Sequence, residues 1–170
     1  MDVFWEEMTF GLPEFQQLLR IVIRLTAAAC LGGIIGFQRE KAGKPAGLRT
    51  HILVALGTTV FILGCSGFGM SSDGLSRVIQ GIVTGIGFIG AGAILKSDEQ
   101  QTVKGLTTAA SVWVTAAIGV TTGLGEVGLA IIATILSLLV LTLTGLIEFS
   151  FKKSDREIGD QKTKNQENAV

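Results

Sequence analysis

The sequence predicts an all-α polytopic membrane protein with about five transmembrane helices. Of its 170 residues, 48% are apolar and only 16% are charged. Its 23 glycines are about twice the usual share, as is typical of closely packed membrane helices. Charged residues are absent from four long stretches, at 50–72, 78–95, 105–125 and 127–147. Each stretch is close to the roughly 17–25 residues that a helix needs to cross the hydrocarbon core.

Residues 1–17 predict a periplasmic or interfacial leader. Acidic residues alternate there with Phe4, Trp5, Phe10 and Phe15, and aromatic rings are typical of the headgroup level of a membrane. A partly ordered leader explains the same composition equally well. The segment lacks the basic start and cleavage site of a signal peptide, so we expect it to be retained.

The first predicted helix runs over about residues 18–37 and carries two arginines near its start. Arg20 and Arg24 are four residues apart and therefore share a face. Arg24 lies about 6 Å deeper by helical rise, where an arginine needs a partner. We expect Arg24 and Arg77 to share Asp73 as a structural clamp, with Gln80 beside them on the outer side.

The connection at residues 38–51 sets the predicted orientation. It carries Arg39, Lys41, Lys44 and Arg49 against one acid, Glu40. By the positive-inside rule this connection is cytoplasmic. Five spans then place the N-terminus outside and the C-terminus in the cytoplasm of a multi-pass protein.

Small residues mark predicted contact faces on several helices. Such faces let two backbones approach closely. They pack either within one subunit or along a dimer seam, or they let a helix unwind around a ligand. The predicted packing positions are Gly32, Gly36, Gly81, Gly85, Gly87, Gly90, Gly92 and Trp113, the last lying too deep for an interfacial belt.

The remaining segments complete a predicted five-helix transmembrane domain over residues 18–150. The third helix covers about residues 77–95, the fourth begins at Gly105, and the fifth covers residues 127–147 and faces lipid. Hydroxyls at the start of the fourth helix either bond to backbone carbonyls or line a polar pocket. Residues 151–170 are polar with mixed charges, which predicts a disordered cytoplasmic tail.

Polar residues that the predicted topology places on the cytoplasmic side form a candidate site for a ligand or partner. We expect Arg49 to pair with an acid such as Glu40 or to bind a lipid phosphate. An arginine that only anchors the helix end at the headgroups is the alternative. The predicted site residues are Glu40, Arg49, Thr50, His51, Lys104, Thr107 and Thr108.

The sequence excludes several kinds of chemistry. It contains no phosphate-binding loop and has no room for a nucleotide-binding domain, so it predicts no ATPase. It shows no convincing pair of nucleophile and base, and we expect no enzyme activity, cofactor or metal site. Zero net charge gives no reason to expect nucleic-acid binding. Acids at helix ends argue against a magnesium site at mid-membrane, whereas a pore lined by backbone carbonyls stays possible.

Four ordered motifs resemble the MgtC/SapB family of bacterial inner-membrane proteins. They are GGIIGFQRE at residues 32–40, AGLRTH at 46–51, GIGFIGAG at 85–92 and VKGLTTAA at 103–110. The resemblance covers about residues 20–148 and implies five spans with a periplasmic N-terminus. It also implies a role in magnesium homeostasis and growth at low magnesium, through regulation of other membrane proteins such as the ATP synthase. Many members carry a soluble C-terminal domain, whereas only about 20 polar residues follow the last predicted helix here.

Two functions follow as hypotheses. The first is a regulatory or interaction protein, expected to be a homodimer that binds membrane lipids or a larger membrane protein. The second is a transporter or channel for magnesium or another small solute. The first is preferred, because enzyme chemistry is missing and small-residue faces are abundant.

Overall fold

The computed structural model describes residues 14–67, 69–97, 102–143 and 145. These residues form helices joined by short connections and one small hairpin. The elements in chain order are α1 (Phe15–Lys41), α2 (Leu48–Gly67), α3 (Ser72–Gly92), β1 (Leu95–Ser97), β2 (Thr102–Lys104), α4 (Leu106–Leu124) and α5 (Val127–Leu143). Most of the leader and the whole tail predicted from the sequence lie outside the described residues.

Four described helices, α1 to α4, are long and apolar enough to cross a membrane. The described part of α5 is a shorter apolar helix of 17 residues. The prediction of an all-α polytopic membrane protein is confirmed. The orientation of its termini stays a prediction.

Two helix boundaries differ from those predicted. Helix α1 continues to Lys41, so the first part of the basic connection is helical and only residues 42–47 link α1 to α2. Helix α3 begins at Ser72 because the hydroxyl of Ser71 accepts a hydrogen bond of 3.3 Å from the amide of Gly74. A serine in that position satisfies one of the free amides at a helix start.

Helices α1 and α2 pack closely through the glycine face of α1. A Cβ placed on Gly32 would lie 2.7 Å from the carbonyl oxygen of His51, and one on Gly36 would lie 2.7 Å from the Cα of Leu48. Both distances are too short for a side chain, so only glycine permits this separation. The contact holds the start of α2 against the end of α1.

Helix α4 lies against α1, α2 and α3 and is the most buried of the four long helices. Its glycines form the contact with α2, since a Cβ on Gly119 would meet Thr58 and the backbone of Ala55. The hydroxyl of Thr59 shares its hydrogen between the carbonyl of Ala55 in its own helix and the carbonyl of Gly119 on α4, each at 2.8 Å. The contact with Gly119 joins two helices, whereas most hydroxyls here bond only within their own helix.

A two-stranded antiparallel hairpin lies between α3 and α4 and was not predicted. Strand β1 pairs with β2 so that Leu95 lies opposite Lys104. Gly105 then begins α4 with a φ of 98°, a conformation that favours glycine. The hairpin ends α3 at Gly92 and places Lys104 beside the first turn of α4.

The chain divides into two compact units, Met1–Thr134 and Ile135–Val170. The first unit contains α1 to α4 and the start of α5. There, α5 buries Ala130 and Thr134 while Leu129 and Ile132 are exposed. In the second unit the structure describes the end of α5 and Gly145, and its apolar side chains at Ile135, Leu136 and Leu139 are exposed.

Candidate functional site

An open groove lies between α2 and α3. Its volume is about 800 Å³. It extends along α2 from Arg49 to Phe61, which is about 18 Å of helix. Its walls are almost entirely apolar and include Leu53 and Ile82. The groove exists because α2 and α3 contact each other far less than either contacts α4.

Uncovered glycines form part of the α3 wall. Gly81 and Gly85 line the groove, and a Cβ on either residue would have no other atom within 4 Å. The same openness applies to Gly87 and Gly92, while Gly90 lies against Ala109. The predicted packing positions on α3 are therefore mostly open in this chain, unlike those on α1.

Arg49 and Thr50 lie at one end of the groove. Arg49 is exposed, and no ion pair involves it in the described part of the chain. Arg49 therefore does not pair with Glu40 as expected, and the Glu40 carboxylate instead accepts a 2.8 Å hydrogen bond from the amide of Leu48. Glu40 thus satisfies the start of α2, where a negative charge is favourable. Binding of a lipid phosphate by Arg49 stays a prediction.

The structure divides the other predicted cytoplasmic residues. His51 and Thr108 are fully or almost fully buried, at 0% and 1% exposure. Lys104 and Thr107 are exposed on the outside of the hairpin and α4. The sequence had predicted one shared site, but His51 and Thr108 are buried and do not belong to an exposed surface with Arg49.

Sequence reasoning missed Arg39 as a site residue. Its side chain is 2% exposed, although it was counted only among the charges that set orientation. Its spacing contained the signal, since Arg39 follows Gly32 by seven residues and Gly36 by three. Residues at that spacing lie on one helix face, and this face contacts α2.

The predicted outer clamp is also corrected. Arg24 donates a 2.8 Å hydrogen bond from Nη1 to the carbonyl of Gly123 at the end of α4. Among the described residues, Asp73 forms an ion pair only with Arg77, which lies one turn along α3 at a distance of 3.5 Å. Both side chains are about 80% exposed. Gln80 is exposed. Arg24 thus finds its partner in a helix C-terminus, where carbonyl dipoles attract a cation.

Trp113 was predicted to pack between helices, but the structure does not place it there. Its side chain is 48% exposed, because α4 directs its buried face elsewhere, through Val112 and Ala116. Among the described residues, no group of three histidine, cysteine, aspartate or glutamate side chains is arranged to hold a metal ion. Cys30 and Cys65 are free thiols.

Comparison with known proteins adds to this geometry. The sequence profile of the MgtC family matches residues 25–149, which include α1 from its second third, α2 to α4, and the described part of α5. The chain belongs to the MgtC family. This membership agrees with the resemblance found in the motifs at both ends of the α1–α2 connection and along α3.

Several relatives of this MgtC-family chain have been named. It is 41% identical to Protein SrpB of Synechococcus elongatus over 136 residues, covering 73% of this chain and 74% of SrpB. It is 47% identical to "Putative magnesium transporter YhiD" of Escherichia coli K12 over 135 residues, covering 75% of this chain and 62% of YhiD. It is 47% identical to Protein MgtC of Salmonella typhimurium over 117 residues, covering 69% of this chain and 49% of MgtC.

The chain therefore spans about half of MgtC and less than two thirds of YhiD. No solved structure matches it. Family membership makes it a relative of Protein MgtC and of a protein named as a putative magnesium transporter, and its long apolar helices are those of a membrane protein.

Proposed function

We propose that this MgtC-family chain acts in magnesium homeostasis, or in adaptation to low magnesium, as a regulatory protein that binds a helix of another membrane protein. It does so without ATPase activity. The open α2–α3 groove supports the proposal more than any other observation. Family membership and the magnesium-related name of YhiD provide the physiological setting.

The shape of the groove suits a transmembrane helix. Its length of about 18 Å corresponds to more than three helical turns. Gly81 and Gly85 leave two positions of the α3 wall without side chains, so a second backbone can approach closely at those positions. In a membrane such close approach is a main source of helix association, because lipid leaves little hydrophobic driving force between helices.

The groove also offers a means of orienting its occupant. Arg49 and Thr50 provide the polar groups at one end, while Phe61 and Val78 close the other. A guanidinium at the membrane surface attracts an acidic group on the occupying helix. An occupant with an acid at the matching end would therefore bind in one direction.

Crosslinking at the groove tests the proposal directly. A photoreactive residue replaces Ile82, which lines the groove, and in a matched variant it replaces Val83, which is exposed on the same helix outside the groove. Cells are irradiated at low magnesium. We expect one discrete adduct with a second membrane protein from position 82 and none from position 83.

A groove-filling variant decides whether the adduct matters. Gly85→Leu adds a side chain to open space and should fold normally, yet it should abolish both the adduct and growth at low magnesium. Equal adducts from positions 82 and 83, or an adduct unaffected by Gly85→Leu, would overturn the proposed interaction. An adduct containing only this protein would instead favour a homodimer contact.

Transport is the second candidate, because YhiD carries the name of a magnesium transporter. The uncovered glycine-rich α3 could supply backbone carbonyls to a pore if it unwound. Purified protein in liposomes, assayed for magnesium flux, separates the two functions. Flux that rises with protein dose and is lost in Arg49→Ala would replace the regulatory proposal.

A further inference from the structure

We propose that Arg39 and His51 form a buried binding site for a phosphate group, separate from the α2–α3 groove. Arg39 belongs to the last turn of α1 and His51 to the first turn of α2. Their exposures are 2% and 0%. The guanidinium charge is close enough to act electrostatically on the imidazole.

The polar atoms of this pair lack partners. Nε and Nη2 of Arg39 and both ring nitrogens of His51 are buried without a hydrogen bond in the described part of the chain. Oε1 of the neighbouring Gln38 is in the same condition. Buried polar groups in folded proteins are almost always bonded. The four unpartnered nitrogens of Arg39 and His51 are therefore the basis for proposing a ligand, whereas Gln38 Oε1 is an acceptor and does not contribute to binding an anion.

Packing holds the two side chains inside the α1–α2 interface. Arg39 continues the stripe of Gly32 and Gly36 along α1. A Cβ on Gly36 would lie 3.0 Å from the Cβ of His51, so the backbones at this point are in close contact. Arg39 lies about one turn farther along the same face and cannot reach solvent without moving the helices.

In the part of the chain that the structure describes, no acid forms an ion pair with Arg39. Glu40 is bound to the amide of Leu48, and Asp73 pairs with Arg77 on α3. The C-terminal dipole of α1 favours a cation in its last turn and offsets part of the cost. A dipole still leaves the N–H groups of a buried guanidinium without acceptors, which is costly.

The free edge of Arg39 identifies the class of ligand. Nε and Nη2 lie on one side of the guanidinium, where their N–H bonds are nearly parallel and match two oxygens of one oxyanion. A ring N–H of His51 can donate to a third oxygen. A free phosphate or a phosphate monoester, such as that of phosphatidic acid, offers three acceptor oxygens, whereas a carboxylate offers two.

The position in the spans is consistent with a phosphate from either of two sources. Both residues are at helix ends, the depth at which phospholipid phosphates lie. A free phosphate or a phosphate-bearing solute would present the same oxygens. Entry requires movement of the α1–α2 connection, whose residues 42–45 are exposed and include Gly43 at a φ of 65°.

Binding is measured on the whole purified chain after removal of lipid. Thermal unfolding is followed while inorganic phosphate is titrated against chloride at equal ionic strength, and separately while a short-chain phosphatidic acid is added. We expect a saturable rise in Tm. Native mass spectrometry of gently extracted protein reports any retained phospholipid.

Arg39→Lys keeps the charge and tests the paired N–H groups. We expect its affinity to fall about tenfold or more, as for loss of one charged hydrogen bond. Arg20→Lys is the matched control at an exposed arginine of the same helix and should bind as the wild type does. His51→Gln provides a second variant if Arg39→Lys does not fold, and it should also weaken binding.

The outcomes distinguish the sources and the proposal itself. A retained phospholipid that is lost in Arg39→Lys identifies the lipid headgroup, whereas a Tm rise with inorganic phosphate alone identifies a free phosphate. The proposal is overturned if the wild type shows neither effect, or if Arg39→Lys and Arg20→Lys weaken binding equally. Because the α2–α3 groove takes no part, this result is independent of the crosslinking at position 82.

Discussion

Replacement of Gly32 by alanine tests whether the glycine face of α1 sets the distance to α2. The added Cβ would lie 2.7 Å from the carbonyl oxygen of His51 and 2.8 Å from the Cβ of Ala55. Ordinary contacts begin at 3.4 Å, so the helices would need to separate by about 0.7 Å (3.4 minus 2.7). Neither neighbour can move by a side-chain rotation, because one is backbone and the other is the first atom of a side chain.

The magnitude follows from two opposing terms. Overpacking a well-packed interior costs about 1–3 kcal/mol, while alanine in place of a helical glycine contributes about 0.5–1 kcal/mol of stability. The net expectation is a loss of about 1–2 kcal/mol. For a chain of this size that loss lowers Tm by about 2–8 °C.

Gly64→Ala is the matched control, because Gly64 is in α2 and a Cβ there would have no neighbour within 4 Å. It should raise Tm by about 1–4 °C through helix propensity alone. Both variants are purified in one detergent and unfolded by heat while circular dichroism is recorded. Equal shifts for the two variants would refute the idea that α1 needs glycine for packing.

Three further predictions concern polar contacts, all measured by thermal unfolding unless stated. Arg24→Ala should lower the unfolding free energy by about 1.5–3 kcal/mol, because it removes a charged hydrogen bond to α4. The control Arg77→Ala, at an exposed ion pair, should change the unfolding free energy by less than about 1 kcal/mol. Similar losses for the two variants would contradict a structural role for the Arg24 bond. Thr59→Val should lower the unfolding free energy by about 1–2 kcal/mol, because it breaks an interhelical hydrogen bond. The control Thr84→Val affects only a bond within α3 and should be neutral. A neutral Thr59→Val would show that the interhelical bond is dispensable. Glu40→Ala should lower the unfolding free energy by about 0.5–2 kcal/mol, because it removes the hydrogen bond from the carboxylate to the Leu48 amide. It should also speed hydrogen exchange in the first turn of α2. Unchanged exchange there would argue that Glu40 does not stabilise the start of α2.

The helical fold was predictable because charge and length constrain membrane spans directly. Charged side chains, which lipid can neither pair nor solvate, are absent from long stretches of the sequence. Those charge-free stretches overlap α2, α3 and α4. The hairpin from Leu95 to Lys104 was missed because two strands of three residues carry too little periodicity. The early start of α3 depended on one serine whose capping role was not recognised.

The candidate site was less predictable, because a sequence shows which residues share a face but not what that face contacts. Arg39, Glu40 and Arg49 appeared as one basic connection, yet the structure buries the first, bonds the second to a helix start and exposes the third. Arg24 was assigned an acidic partner, whereas a backbone carbonyl at the end of α4 serves instead. Backbone acceptors carry no sequence signature, so such pairings can be found only in the folded chain.

The position of α4 has a consequence for how the protein is made. This helix carries six serine or threonine residues and is the most enclosed of the four spans. Hydroxyls of Thr115 and Thr122 return to carbonyls of their own helix, which reduces the cost of placing them in lipid. Even so, α4 is the least hydrophobic of the four long helices and is the least suited to lie in lipid by itself. We expect α4 to insert stably only after α1 and α2 are in the membrane and can pack against it. The helices would then join the core in the order in which they are synthesised.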